Sequence, residues 1–119
     1  IMKILQADKL MRILTIACLV LAMTGTAYAE GDPMAGKRKA ETCMGCHGIK
    51  GYNNAYPSYN VPKLGGQYAA YIVSALKAYK SGQRWHPTMQ AQASNLSEQD
   101  MADIAAYFAN MKKIEKTEK

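Results

Sequence analysis

The chain has 119 residues, a formal net charge of +6 and three cysteines. This length is enough for one small domain. The cysteines are too few for the disulfide framework that stabilises many short secreted domains. The basic residues form no run interleaved with stacking aromatics, so nucleic-acid binding is not expected.

The chain begins with the features of a secretory signal, which starts at Met11 or at Met2. Arg12 supplies positive charge, residues 13–23 form an apolar core, and residues 27–29, Ala-Tyr-Ala, form a small-x-small cleavage site. The apolar core is shorter than the roughly 20 residues of a membrane span. We therefore expect cleavage and no stable membrane insertion, with a retained anchor as the alternative.

These features divide the sequence into three parts. Residues 1–10 match neither a signal nor a domain and are predicted to be an upstream extension from an early start site. Residues 11–29 are predicted to be the signal peptide, in which Cys18 is an ordinary apolar residue. Residues 30–119 then form the single domain.

The domain opens with a helix-start signal. Asp32 is a favourable N-cap residue, and Pro33 suits the first helical position. A helix is therefore predicted from Asp32 to about Cys43. Its end delivers the segment 43–47, Cys-Met-Gly-Cys-His.

The segment 43–47 matches the attachment site of a c-type haem. Cys43 and Cys46 can form thioethers with the two haem vinyl groups, and His47 is then placed as an axial ligand of the iron. The alternatives are half a zinc site and a dithiol redox pair. A zinc site needs four ligands, but the domain has no other cysteine and only one other histidine, His86. A thioredoxin-like pair needs a βαβ pattern, which the sequence lacks. We expect one covalently bound haem c.

A long irregular loop is predicted after the attachment segment. Residues 48–66 are rich in Gly, Asn, Pro, Ser and Tyr, which is typical of loops. A loop of this length is expected where the chain wraps a group that is not protein. No strand pattern is visible in the chain.

Two further helices are predicted. The second covers residues 67–81 on its apolar spacing and ends at Gly82. The third begins at Ser97, which forms a capping-box pattern with Asp100, and gives way to a charged tail over residues 112–119.

A haem that carries electrons needs a sixth iron ligand, usually methionine or histidine. Residues 84–91 are predicted to be non-helical and contain His86 and Met89. Met89 is far enough along the chain from His47 to reach the opposite haem face, and Pro87 stiffens the approach. Four other methionines belong to the attachment segment or to the faces of helices, namely Met34, Met44, Met101 and Met111. Met89 is the favoured ligand, His86 is its competitor, and an open site is the third possibility.

Together these segments resemble a class I monohaem cytochrome c, most closely a single domain of the cytochrome c4 and c553 type. The resemblance covers nearly all of residues 30–119. The matching segments are Gly31-Asp32-Pro33 with Gly36 and Lys37, Cys43 to Gly48, Pro62 to Tyr68, and Met89 with Leu96 to Phe108. Cytochromes c4 have two haem domains, whereas this sequence has one attachment motif.

The resemblance implies an all-α fold, a small cytochrome c fold with three main helices and a long loop wrapped around one covalently bound haem. It assigns the distal ligand to the methionine eight residues before the capping serine, which is Met89. It also implies that the Pro62 carbonyl accepts a hydrogen bond from Nδ1 of His47, which would fix the ring and raise its basicity.

The expected function is periplasmic electron transfer by a six-coordinate haem, without enzymatic activity. The alternatives are a cytochrome c subunit of a larger periplasmic oxidoreductase complex and a haem sensor or enzyme with an open distal site. Expected partners are redox proteins, a donor and an acceptor, such as a quinol–cytochrome c reductase or a terminal oxidase. Residues 30–119 hold 12 basic and 8 acidic residues, a modest excess that suits weak docking to acidic partners. A monomer is expected.

Overall fold

The computed structural model describes residues 1–21 and 30–117. Within these residues the chain forms six helices and one two-stranded antiparallel sheet. In chain order they are α1 (Met2–Leu21), α2 (Pro33–Lys39), α3 (Glu41–His47), β1 (Asn53–Ala55), β2 (Ser58–Asn60), α4 (Ala69–Ser81), α5 (Pro87–Ala93) and α6 (Glu98–Thr117). The predicted all-α class is confirmed, because the only strands among these residues are three residues long.

Helix α1 runs without a break across the proposed boundary between the extension and the signal peptide. Its large apolar side chains are exposed, as at Leu10 and Ile13. None of the helices in residues 1–21 and 30–117 combines the length and apolarity needed to cross a membrane. The proposed cleavage site at residues 27–29 lies outside the described residues, so the division into extension, signal and domain stays a prediction.

The helix predicted from Asp32 to Cys43 is two helices. Asp32 is the N-cap as predicted, since its carboxylate accepts a hydrogen bond of 2.8 Å from the Met34 N–H. The chain then departs from helical geometry at the fully buried Ala40 (φ −87°, ψ 2°). Helix α3 starts at the next residue and continues to His47, beyond the predicted end, so the attachment segment is helical.

The expectation that the chain contains no strand is wrong between Asn53 and Asn60. Strands β1 and β2 pair antiparallel, with Asn53 opposite Asn60. The Val61 N–H donates to the Tyr52 carbonyl at 3.0 Å and extends the pairing by one hydrogen bond. Strands of three mostly polar residues show no alternation of apolar and polar positions, so the sequence carried no signal for them.

Helix α4 confirms the second predicted helix. It buries Ile72, Val73 and Leu76, which share one helical face. It ends at Gly82, which adopts the left-handed conformation (φ 79°) that favours glycine at this position.

Helix α5 corrects the prediction that residues 84–91 are non-helical. The helix begins at Pro87, and His86 is its N-cap in an extended conformation (φ −166°, ψ 98°). The helix starts here for the same reason that α2 starts at Pro33. Proline at the first helical position has no N–H that needs a partner, and its φ is already fixed near the helical value. Met89 therefore lies in the first turn of a helix.

Helix α6 begins as predicted, with reciprocal capping by Ser97 and Asp100. The Asp100 N–H donates to the Ser97 hydroxyl at 3.0 Å, and the Ser97 N–H donates to the Asp100 carboxylate at 2.9 Å. The apolar face is buried as expected: Met101, Ile104, Ala105, Phe108 and Met111. The predicted end at residue 112 is wrong, because the helix continues to Thr117.

Helices α2 and α6 cross at very close range. A Cβ atom placed on Gly36 would lie 1.9 Å from the Asp103 carbonyl oxygen. Next to this crossing, Lys39 bridges Asp100 at 2.8 Å and the buried Asp103 at 2.6 Å. The Asp32 N–H also donates to Asp103, at 2.9 Å. This crossing anchors the start of α3, while α4 packs on α6 and α5 packs on α4.

Candidate functional site

A cavity of about 350 Å³ lies between α3, the segment after β2, α4 and α5. All the residues that the sequence proposed for the site line this one cavity: Cys43, Cys46, His47, Pro62, His86 and Met89. The fold thus brings together residues that are far apart in the sequence.

The two cysteines lie three positions apart on α3, so both side chains lie on the same side of the helix. Both thiols are free, with Cys43 half-buried and Cys46 exposed. Burial raises the pKa of the Cys43 thiol, so this group stays protonated at neutral pH. Within residues 1–21 and 30–117, no three His, Cys, Asp or Glu side chains come together as a metal-ion site would require.

His47, the last residue of α3, is oriented by a backbone carbonyl. Its Nδ1 lies 2.6 Å from the carbonyl oxygen of Pro62. Because a carbonyl oxygen can only accept, Nδ1 carries the proton and donates it to this bond. The lone pair of the neutral ring is then on Nε2, which is free to bind a metal. The hydrogen bond also makes His47 a more basic ligand.

The wall that α4 contributes is largely apolar. Ile72 and Leu76 are buried residues that line it, and Tyr79 is half-buried. Arg84 lies at the side of the cavity, with its guanidinium carbon 4.8 Å from the centre of the Tyr79 ring. It also donates a hydrogen bond of 3.3 Å to the Tyr71 hydroxyl. Such a lining suits a large apolar group that carries charge at its edge.

Met89 and His86 enter the cavity from α5. Met89 is half-buried and packs against the hydrophobic core. Helices α3 and α5 both line the cavity, and in the described part of the chain none of their Cα atoms come within 8 Å of each other. His47 and Met89 therefore belong to two walls separated by the cavity.

The geometry of His86 makes it a poor iron ligand. Its Nδ1 accepts a hydrogen bond of 3.4 Å from the Met89 N–H. The neutral ring must then carry its proton on Nε2. One nitrogen is thus engaged as an acceptor and the other is protonated, so neither offers a free lone pair. Iron binding by His86 would cost the cap of α5.

One contact near the site was not predicted. Tyr59 on β2 donates a hydrogen bond of 3.0 Å from its hydroxyl to the Thr88 hydroxyl in the first turn of α5. Its ring also meets the His86 ring edge-on, with centroids 4.7 Å apart. No sequence pattern predicts this contact, because it depends on the hairpin. The role of His86 as N-cap could have been inferred from the proline that follows it.

The family model for cytochrome c matches residues 33–112. The chain belongs to the cytochrome c family. It is 44% identical over 101 residues to cytochrome c4 of Pseudomonas aeruginosa, an alignment that covers 85% of this chain and 49% of the relative. It is 46% identical over 83 residues to cytochrome c-554(548) of Halomonas halodenitrificans, covering 67% of this chain and 96% of the relative.

A solved structure supports the same assignment. Cytochrome c4 of Acidithiobacillus ferrooxidans superimposes with a TM-score of 0.56 at 29% identity, covering 73% of this chain and 54% of that chain. The chain spans about half the length of the cytochromes c4 that it matches. The predicted resemblance to a single domain of the cytochrome c4 type is confirmed.

As a cytochrome c, the chain binds haem c covalently, and the cavity fits this group. The two free thiols lie on one helix at the spacing that thioether attachment requires. The neighbouring imidazole has its Nδ1 proton engaged by a carbonyl and its Nε2 available. The apolar residues of α4 provide the surface against which the macrocycle can pack.

Proposed function

We propose that this cytochrome c is a periplasmic one-electron carrier whose haem iron is bound by His47 and Met89. The observation that carries the proposal is the placement of these two side chains. They lie on two short helices that line one cavity, and within the described residues no Cα atom of one helix comes within 8 Å of a Cα atom of the other. Two ligands on separate walls suit the two faces of one macrocycle.

When bound, the haem supplies an iron that alternates between the ferric and ferrous states. The chain's own residues fix the ligands in both states. Pro62 holds the His47 ring through the 2.6 Å hydrogen bond. Met89 offers a thioether, which favours the ferrous form and raises the reduction potential. Neither ligand has to move when an electron arrives, so little energy is spent on rearrangement.

The apolar wall of the cavity supports the same function. Ile72, Leu76 and Tyr79 line it and limit the access of water to the bound group. A low local dielectric destabilises the extra positive charge of the ferric iron and so adds to the rise in potential. No residue of the cavity needs to act as an acid, base or nucleophile in this function.

The proposed location and partners rest on the sequence and on charge. The signal-like residues 11–29 precede a domain whose only cysteines are those of the attachment site. Lys63 and Arg84 line the cavity and contribute to the basic surface of the domain. Redox proteins with acidic docking faces are the partners that such a surface suits. The chain is proposed to pass electrons between them as a monomer.

The optical spectrum of the oxidised protein tests the ligand assignment. The full chain is produced in a strain that matures c-type cytochromes, and wild type is compared with Met89→Ala. We expect the variant to lose the weak long-wavelength band that arises from methionine bound to ferric iron. Its ferrous form should also bind carbon monoxide readily, because the sixth position is open.

Met34→Ala is the matched control, since this methionine is exposed on α2 and does not line the cavity. The control should keep the band and resist carbon monoxide as wild type does. Survival of the band in Met89→Ala would exclude Met89 as the distal ligand. Absence of the band from wild type would leave His86 or an open site.

A further inference from the structure

We infer that His86 is a positioning residue that holds Met89 in place by capping α5, and that it does so from outside the iron's coordination sphere. The inference rests on the proposed role of Met89 as the distal ligand. It concerns the side chain that was the competitor for the same role, and it assigns that side chain a different task.

The capping geometry points directly at Met89. His86 is the N-cap, Pro87 is the first helical residue and Met89 is the third. The N–H that His86 accepts, at 3.4 Å, is the N–H of Met89 itself. In return, the His86 N–H donates to the side-chain oxygen of Gln90 at 3.4 Å. This reciprocal arrangement is close to a capping box, which fixes the first turn of a helix.

The imidazole is itself held by two neighbouring rings. The Tyr59 ring lies edge-on to it with centroids 4.7 Å apart, and the Tyr79 ring does the same at 6.2 Å. Tyr59 also donates its hydroxyl proton to Thr88 at 3.0 Å. The cap therefore ties the first turn of α5 to β2 on one side and to α4 on the other.

Helix α5 depends on these contacts because it is only seven residues long. Isolated helices shorter than roughly 12 residues are not stable in water, so the position of α5 comes from its surroundings. Loss of an N-cap acceptor releases the first turn, which here is the turn that carries Met89. The equilibrium between bound and unbound Met89 should then shift by about fivefold, the factor that corresponds to a typical cap.

The test compares two substitutions in the haem-loaded full chain. His86→Leu keeps much of the bulk between Tyr59 and Tyr79 but removes the acceptor, whereas His86→Asn keeps an acceptor that suits an N-cap. The measurements are the methionine band of the ferric protein and the carbon monoxide affinity of the ferrous protein. We expect His86→Leu to weaken the band and bind carbon monoxide about fivefold more tightly, since the gas competes with Met89. His86→Asn should stay within about twofold of wild type.

Three results would overturn the inference. One is wild-type carbon monoxide affinity in His86→Leu, even if that variant is less stable. The second is an equal effect of the asparagine and leucine variants, which would show that the acceptor is not what matters. The third applies if His86→Leu does not fold. His86→Ala is then measured in its place, and an unchanged affinity for carbon monoxide would overturn the inference. Met89→Ala separates the two proposals: if it keeps the band, the ligand assignment itself has failed.

Discussion

Replacing Gly36 by alanine should push α2 and α6 apart. A Cβ atom at this position would lie 1.9 Å from the carbonyl oxygen of Asp103 and 2.9 Å from the Cβ of Tyr107. Ordinary contact begins at 3.4 Å, so the oxygen would have to move by 3.4 − 1.9 = 1.5 Å. Because the obstacle is the backbone of a helix, no change of rotamer can relieve the clash.

The size of the effect follows from the packing that this movement would disturb. A gap of about 0.5–1 Å already forfeits a quarter to a half of the dispersion attraction between the surfaces it separates. Overpacking in cores costs about 1–3 kcal/mol, and a clash with backbone belongs at the upper end. The higher helix propensity of alanine relative to glycine offsets about 1 kcal/mol of this cost. We expect a net loss of about 2 kcal/mol in the free energy of unfolding.

The assay is denaturant unfolding of the haem-loaded protein, followed by far-ultraviolet circular dichroism and by haem absorbance. In a domain of this size the loss corresponds to a fall in Tm of roughly 8–16 °C. Gly45→Ala is the matched control: Gly45 lies within α3, and apart from its chain neighbours and the backbone of its own helix no described atom comes within 4 Å of a Cβ built there. Equal stability of Gly36→Ala and wild type would show that the two helices do not need their close approach.

Three further predictions concern charge and helix ends. The hydrogen-bonded ion pair with Lys39 lowers the pKa of Asp103. The stabilisation of the folded state by this ion pair is therefore fully present above pH ~4 and is lost as the pH falls through the lowered pKa. Asp103→Asn should therefore lower Tm at pH 7 and flatten the dependence of Tm on pH below about 5, and an unchanged acid profile would contradict this. Ser97→Ala should cost about 1 kcal/mol of unfolding free energy through loss of the α6 cap, with Ser97→Asp as the control that restores it. Gly82→Ala should cost about 1–2 kcal/mol because alanine is strained at φ 79°, whereas Gly82→Asn should cost less; equal stability of all three proteins would refute this.

The helix ends that the sequence predicted are those marked by local chemistry. Each of these signals acts through a hydrogen bond or a backbone conformation within a few residues. The three cases are Asp32 before proline, Ser97 three residues before Asp100, and Gly82 after an apolar helical face. Such signals do not depend on the rest of the fold, so they can be recognised before the fold is known. The same reasoning applies to the start of α5 at His86-Pro87, where a proline follows a residue that can act as N-cap.

The features that the sequence did not predict depend on distant contacts. The break at Ala40 carries no glycine or proline signal, and it becomes visible only when α2 is seen packed against α6. The β1–β2 hairpin has strands too short and polar to show a pattern, yet it places Tyr59 beside α5. The continuation of α6 to Thr117 crosses a stretch of lysines whose charge had suggested a tail.

The site shows the same division between local and distant information. The attachment segment can be recognised from sequence because its two cysteines and its histidine lie within five positions, at the spacing that haem attachment requires. The choice between Met89 and His86 was different, since both lie in one segment and both are possible iron ligands. The observation that favours Met89 in the proposal is the hydrogen bond from the Met89 N–H to Nδ1 of His86, and spacing alone cannot show which ring nitrogen is engaged.

The two sides of the cavity share one physical design. Helices α3 and α5 are each seven residues long, so neither can fix a side chain through its own stability. On one side the Pro62 carbonyl holds the His47 ring, and on the other the His86 ring holds the first turn that carries Met89. In both cases the restraint comes from an acceptor outside the proposed ligand pair. The positions of His47 and Met89 are therefore set by their neighbours, and rigid placement of both proposed ligands is what an electron carrier needs.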